Sequence, residues 1–237
     1  MSSDLTGKVA LVTGASGGIG TALVEALVER GATVVATSRN HQNPTTPGRV
    51  HHRQLDVADL ESLQPFVAQV IDEFGSLDLV LPNAGIAHVR TLPEIDLTTW
   101  QETLTVNLTA PFLLAQAALP DMVNRGYGRI LFTSSAAAFV GGFVGPHYAA
   151  SKAALHGLVA SLASNYAPYG VTVNAIAPAL ISDTKMIDEN QDRIAAARIP
   201  VGRLGRPQEV ADLAAAMLTN GYLTGHVTLL DGGIHPR

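Results

Sequence analysis

Within PHYAASKAALHG (146–157), a tyrosine and a lysine stand four positions apart among small residues. Alanine is the best helix former, so the run from Tyr148 to His156 reads as helix. Residues at i and i+4 share one helical face, which projects a phenol and an ammonium together from a wall of small side chains. The chemistry on offer is proton exchange. Half-ionising a tyrosine near neutral pH requires its pKa to fall by about 3 units, or about 4 kcal/mol. A lysine charge about 6 Å away at an effective dielectric of about 20 supplies about 3 kcal/mol, so a second positive charge is needed. The alternative for this pair is a buried tyrosine beside a snorkelling lysine. Ser135 lies 13 residues before Tyr148 at the end of an apolar run, and Ser134 beside it offers a rival hydroxyl.

A second chemical signal is TGASGGIG (13–20), with glycines at 14, 18 and 20. It follows an apolar run and opens a helical one. A strand–turn–helix of this kind lets backbone amides approach a pyrophosphate, whose charge the helix N-terminus favours. The alternative is a turn that merely connects.

The elements that must position these groups come from a repeated junction. Four times a helical stretch ends at glycine and an apolar, β-branched run follows: GATVVAT (31–37), GSLDLVL (75–81), GYGRILFT (126–133) and GVTVNAIA (170–177). Glycine suits the left-handed position after a helix, and runs apolar on both faces suit buried parallel strands. With KVALVT (8–13), RVHHRQL (49–55) and HVTLLD (226–231), seven strands are expected. Helical patterns run at about 18–31, 59–74, 97–125, 147–168 and 207–219. The alternation predicts an α/β fold: one doubly wound domain over 1–237, a seven-stranded parallel sheet with helices on both faces. RNHQNPTTPGR (39–49) is too rich in proline for a crossover helix. Pro111 falls inside the long helix and deprives the carbonyl of Asn107 of its usual partner.

Composition narrows the function. Of 237 residues, 47% are hydrophobic and 15% charged, which excludes intrinsic disorder. A formal charge of -5 argues against nucleic acid as a partner. With no cysteine there is no disulfide framework, thiolate metal site or cysteine nucleophile, and the eight histidines show no metal-ligand spacing. MSSDLTGK lacks an apolar signal region and no run is long enough to span a bilayer, so a soluble cytoplasmic protein with no membrane partner is expected.

T-G-x-x-x-G-I-G, N-A-G at 83–85, Ser135 and Y-x-x-x-K at 148–152 together resemble the short-chain dehydrogenase/reductase family. The likeness runs the length of the chain, through GRPQEVA (205–211) to LTGHVTLLDGG (223–233). It implies an oxidoreductase passing a hydride between a nicotinamide dinucleotide and a small-molecule ketone or secondary alcohol. Tyr148 becomes the general acid/base, Lys152 its electrostatic partner, Ser135 the donor to the substrate oxygen, and Asn107 the anchor of a proton-relay water. Ser135 is favoured over Ser134 by family spacing. The second positive charge is then the oxidised nicotinamide ring.

The resemblance also implies a cofactor cradle. Gly14, Ser16, Gly18, Ile19 and Gly20 would meet the diphosphate end, Asp56 and Val57 the adenine, and Asn83, Ala84 and Gly85 the ribose. Tyr148, Lys152, Pro178, Ile181 and Thr184 would line the nicotinamide end. Ala179 replaces a common glycine there, and Thr184 sits one place later than usual, with Ser182 as a substitute. The end of the second strand, ATSRN (36–40), offers Ser38 and Arg39 and no carboxylate. Arginine accepts a 2′-phosphate that an acidic residue would repel, so NADP(H) is favoured over NAD(H). Gly17 departs from the pattern, because many NADP-preferring relatives carry a basic residue there.

Phe139, Val140, Phe143 and Val144 read as an apolar pocket wall or as core, and His88 and His147 as substrate contacts or polar surface. Gly126 and Tyr169 stand where carrier-protein ketoreductases of the family present basic residues, although Arg125 and Arg129 are near. Family members are commonly tetramers, so a homo-oligomer is expected, packed through the helices at 97–125 and 147–168 and the C-terminal segment. The competing readings are an NAD-dependent sugar-alcohol or hydroxysteroid dehydrogenase, and a dinucleotide-binding sensor without chemistry.

Overall fold

Seven strands form one parallel sheet in the order β3-β2-β1-β4-β5-β6-β7. The strands are β1 (Val9–Thr13), β2 (Thr33–Ser38), β3 (Val50–Gln54), β4 (Leu79–Leu81), β5 (Gly128–Thr133), β6 (Val171–Pro178) and β7 (Val227–Leu230). The computed structural model describes residues 4–40, 48–182 and 199–235. Successive strand residues face opposite sides of the sheet, and both sides here are apolar. Leu11, Val35 and Phe132 pack into one core, and Ala10, Val12, Val34 and Leu79 into the other.

The helices divide accordingly. Helices α2 (Leu60–Phe74), α4 (Ala110–Arg125) and α6 (Pro146–Tyr166) cover the first face with Leu63, Leu114 and Leu155. Helices α1 (Gly18–Glu29) and α7 (Pro207–Thr219) cover the second with Leu23, Leu27 and Met217. Gly75 and Gly126, at the ends of α2 and α4, take φ of 80° and 66°, the left-handed caps that the junction pattern requires. Among the described residues, the remaining α-helices are α3 (Leu97–Leu104) and the short α5 (Ala137–Val140).

The stretch expected as one helix at 97–125 is interrupted. Between α3 and α4, Thr105–Thr109 forms a π turn, in which the Ala110 amide donates to the Thr105 carbonyl five residues back. The widening falls just before Pro111, which has no amide to donate, and it encloses Asn107. The strand expected at 75–81 is reduced to its last three residues. Residues 41–47, the centre of the proline-rich crossover, lie outside the described residues. Among the described residues, no helix is long and apolar enough to cross a membrane, and no three side chains gather as metal ligands.

Candidate active site

The sheet order reverses between β1 and β4, and the C-terminal ends of the strands on either side carry the candidate residues. Ligands of open α/β sheets bind at this kind of edge. Gly14 leaves β1 with φ 66°, and a side chain there would place its first carbon 2.8 Å from the Ala84 Cα. The glycine turn and the turn after β4 therefore pack back to back. Thr13 fastens them: its Oγ1 accepts from the amides of Asn83 and Ala84, each at 3.1 Å. The Asn83 amide group donates to the carbonyls of Thr13 at 3.1 Å and Gly14 at 3.3 Å, and Thr133 at the end of β5 donates to its Oδ1.

Gly20 is buried where α1 crosses this turn, and a Cβ there would overlap the Gly14 carbonyl. Ser16 and Gly17 are exposed in front of it. Helix α1 begins at Gly18 after Gly17 with no side-chain cap and no acidic residue in its first turn. Its first amide groups and dipole are thus left for an anion, which fits the phosphates of a dinucleotide. Ile19 packs on the second core.

The end expected to meet the adenosine is open. Arg39 is exposed, and its guanidinium has no ion pair or hydrogen bond among the described residues; its carbonyl accepts from Gln54. Ser38 donates to the Asn40 carbonyl. Asp56 is exposed and its Oδ1 accepts from the Ala58 amide at 3.0 Å, while Val57 is buried beside it.

The reactive end is built by α6, the π turn and the end of β5. Tyr148 and Lys152 are both buried on one face of α6. Lys152 Nζ donates to the Thr133 carbonyl at 2.8 Å and lies 5.9 Å from the Tyr148 ring centre. Burial lowers the Lys152 pKa from 10.5 to about 8. Burial raises the Tyr148 pKa, and a hydrogen bond from Ser135 opposes that rise by favouring the phenolate. The protein by itself therefore keeps Tyr148 in its acid form.

The two serines separate. Ser134 is buried and committed, donating to the Lys152 carbonyl at 3.1 Å and lying 2.9 Å from His156 Nε2. Ser135 accepts from the Ala137 amide at 3.1 Å and so keeps its own proton for Tyr148 or a substrate oxygen.

Asn107 is fully buried. Its Oδ1 accepts from the Ile86 amide and its Nδ2 donates to the Ile86 carbonyl, both at 2.9 Å. Nδ2 also reaches Ser151 Oγ at 3.2 Å, and that hydroxyl donates to the Tyr148 carbonyl at 2.7 Å. The role of Ser151 carries no sequence signal because the Asn107 side chain lies 44 residues away, and Thr13, though it opens the glycine motif, acts on amides about 70 residues distant. Gly85 is the neighbour of both key side chains: a Cβ there would stand 3.2 Å from Asn107 Oδ1 and 3.4 Å from Lys152 Nζ.

Pro178 closes β6, and its carbonyl accepts from Ala136. Ile181 is buried and bridges to Gly205, whose carbonyl accepts from the Ser182 amide. Thr184 lies outside the described residues. The expected apolar wall divides. Val144 is buried against Tyr148 together with Ala137, whereas Phe139 turns to the His156 ring at 4.8 Å. Val140 and Phe143 are exposed. His88 is exposed; His147 is fully buried, and neither ring nitrogen has a partner among the described residues.

Comparison with known proteins accounts for this arrangement. The family model described as short chain dehydrogenase matches residues 8–195. The 3-oxoacyl-[acyl-carrier-protein] reductase FabG of Vibrio cholerae is 36% identical over 241 residues, covering 98% of this chain and 99% of that protein. The 2-dehydro-3-deoxy-D-gluconate 5-dehydrogenase of Bacillus subtilis is also 36% identical, covering 97% and 95%. A crystal structure of a proposed NAD(P)-dependent gluconate 5-dehydrogenase from Beutenbergia cavernae, with NADP bound at low occupancy, superposes with a TM-score of 0.89. It is 33% identical and covers 99% of both chains. With the family model spanning most of the chain and relatives aligned end to end, this protein belongs to the short-chain dehydrogenase family.

Proposed function

We propose that this protein is an NADP(H)-preferring oxidoreductase that interconverts a ketone and a secondary alcohol. The observation that carries the reading is the meeting of Ser135, Tyr148 and Lys152 beside the glycine turn. When bound, the nicotinamide gives or takes the hydride and, in its oxidised form, adds a positive charge. In reduction Tyr148 gives its proton to the carbonyl oxygen, to which Ser135 also donates. In oxidation Tyr148 takes the alcohol proton, and the Lys152 ammonium stabilises the resulting phenolate. The raised pKa of the unaided phenol suits the acid role, and the added ring charge suits the base role. Asn107 holds the 86 segment and the start of α6 in register with these groups.

Preference for the 2′-phosphate is supported by exposed Arg39, by the lack of a carboxylate from Arg30 to Leu55, and by the NADP in the Beutenbergia cavernae structure. The test is titration of NADPH and NADH by nicotinamide fluorescence, with Arg39→Ala in parallel. NADPH is expected to bind tighter, and Arg39→Ala to weaken it by about 1–3 kcal/mol, as for a charge-assisted bond, while leaving NADH unchanged. Tighter binding of NADH overturns the preference.

A homotetramer is the proposed assembly. Helix α6 exposes a stripe of small residues, Ala150, Ala154, Gly157 and Ser161, and α4 exposes Phe112. Small side chains of this kind let helices of two copies approach closely. Light scattering that returns the mass of one protomer would rule the assembly out.

A further inference from the structure

Apart from Lys152, Tyr148 is walled by residues that carry almost no charge. The segments 83–93 and 133–151, which enclose it, contain one formally charged side chain, Arg90. They are joined by a hydrogen bond from the Arg90 amide to the Val144 carbonyl at 2.9 Å. Arg90 Nη1 folds back on the Val89 carbonyl. The inner wall is apolar: Ala137 and Val144 pack directly on Tyr148, with Ala87 against them. Further out on the same segments, large apolar side chains remain exposed: Val89 by 55%, Leu92 by 72%, Val140 by 48% and Phe143 by 55%. Isolated exposed apolar residues are ordinary; four on two joined segments continuous with the candidate reactive tyrosine mark a binding surface.

Resting on the proposed ketone–alcohol chemistry, we propose that the substrate carries an uncharged apolar group next to its carbonyl. Such a group buries against Ala87, Val144, Val140 and Phe143. A sugar acid such as that named for the Bacillus subtilis relative brings a carboxylate and several hydroxyls, each of which needs a partner when desolvated. Arg90 and His88 are the exposed side chains on these two segments able to answer a carboxylate, and the large exposed side chains beside them are apolar. The reaction balances as in any ketone reduction. The carbonyl carbon would gain a hydride from the reduced nicotinamide and the carbonyl oxygen a proton from Tyr148, which takes one back from solvent to close the cycle. The alcohol and the oxidised dinucleotide leave.

The experiment compares benzylacetone, butanone, 5-keto-D-gluconate and acetoacetyl-coenzyme A as substrates of the purified protein with NADPH, alongside NADPH binding by fluorescence. Benzylacetone is expected to exceed butanone and 5-keto-D-gluconate in kcat/KM by at least about 100-fold, the order of a well-filled apolar pocket. Phe143→Ser and Val140→Ser are expected to raise KM for benzylacetone about 10-fold and so to narrow its advantage over butanone; an unchanged benzylacetone-to-butanone ratio overturns the proposal. Preference for 5-keto-D-gluconate or for acetoacetyl-coenzyme A overturns the proposal. Tight NADPH binding with no reduction of benzylacetone overturns it while leaving the cofactor reading intact. Absence of NADPH binding removes both.

Discussion

The side chain of Asn107 grips the backbone of Ile86 at both ends, accepting from its amide and donating to its carbonyl, each at 2.9 Å. The grip ties the π turn to the segment that follows β4, and through Ser151 it reaches the carbonyl of Tyr148. Asn107→Ala strips three hydrogen bonds and leaves the Ile86 groups bare, so a loss of about 2–4 kcal/mol in urea unfolding is expected. Asn107→Asp keeps the acceptor for the Ile86 amide and loses the donor, so it should fall between wild type and alanine. Equal stability of alanine and wild type would show that the grip contributes nothing.

Lys152 is held in the interior at a cost. Its pKa falls from 10.5 to about 8 because burial disfavours the charged form. The unfolded chain then binds more protons between those two pH values, so the penalty is complete below about 8 and relieved as pH rises toward 10.5. Lys152→Met should raise stability at neutral pH by about 2 kcal/mol, after allowance for the lost bond to Thr133, while abolishing turnover. The gain should shrink as pH increases through that window. A variant less stable than wild type at neutral pH contradicts this account.

The glycine turn makes a sharper prediction about neighbours. Gly20→Ala drives a methyl into the Gly14 carbonyl and to 2.8 Å from the Ala15 Cα, with both partners backbone. A loss of about 1–3 kcal/mol is expected, as for overpacking, together with weakened dinucleotide binding. Gly17→Ala meets nothing nearer than 3.5 Å and has an ordinary φ of -83°, so its thermal midpoint should match wild type. The two melting curves together check the packing of the turn.

His147 makes the opposite prediction. Its imidazole is fully buried with neither nitrogen paired among the described residues. Removing an unsatisfied polar group relieves its desolvation cost, so His147→Leu should gain about 1 kcal/mol, or about 2–4 °C in Tm for a chain of this size. A fall of several degrees would reveal a partner for the ring.

These residues also mark what the sequence made legible. Strand and helix alternation was readable because both faces of each central strand are apolar and four helical stretches run into a glycine, as at Gly75 and Gly126. Tyr148 and Lys152 were readable because a four-residue spacing in a helix is a geometric statement. Asn107 was located through Pro111, which pointed to its backbone carbonyl, whereas the grip on Ile86 belongs to its side chain. Ser134 and Ser135 could not be told apart on their residues alone, since the partner that claims Ser134, His156, lies 22 residues further on. Ser151 stayed unnoticed for the same reason: Asn107 is 44 residues away. Val140 and Phe143 could have been core or rim, and periodicity in so short a segment cannot decide.

The π turn has a consequence for how the gene can change. A π turn is an α-helix holding one residue too many, since each of its bonds spans five residues instead of four. Deleting a residue between Thr105 and Thr109 would let α3 and α4 fuse into one regular helix. Because the turn absorbs its extra residue locally, the faces of α3 and α4 would keep their directions, and Leu114, Ala118 and Met122 would keep their places in the core. What the deletion would remove is the widened turn that carries Asn107, and with it the grip on Ile86. A loss of one residue here is therefore mild for the helices and severe for the site between them.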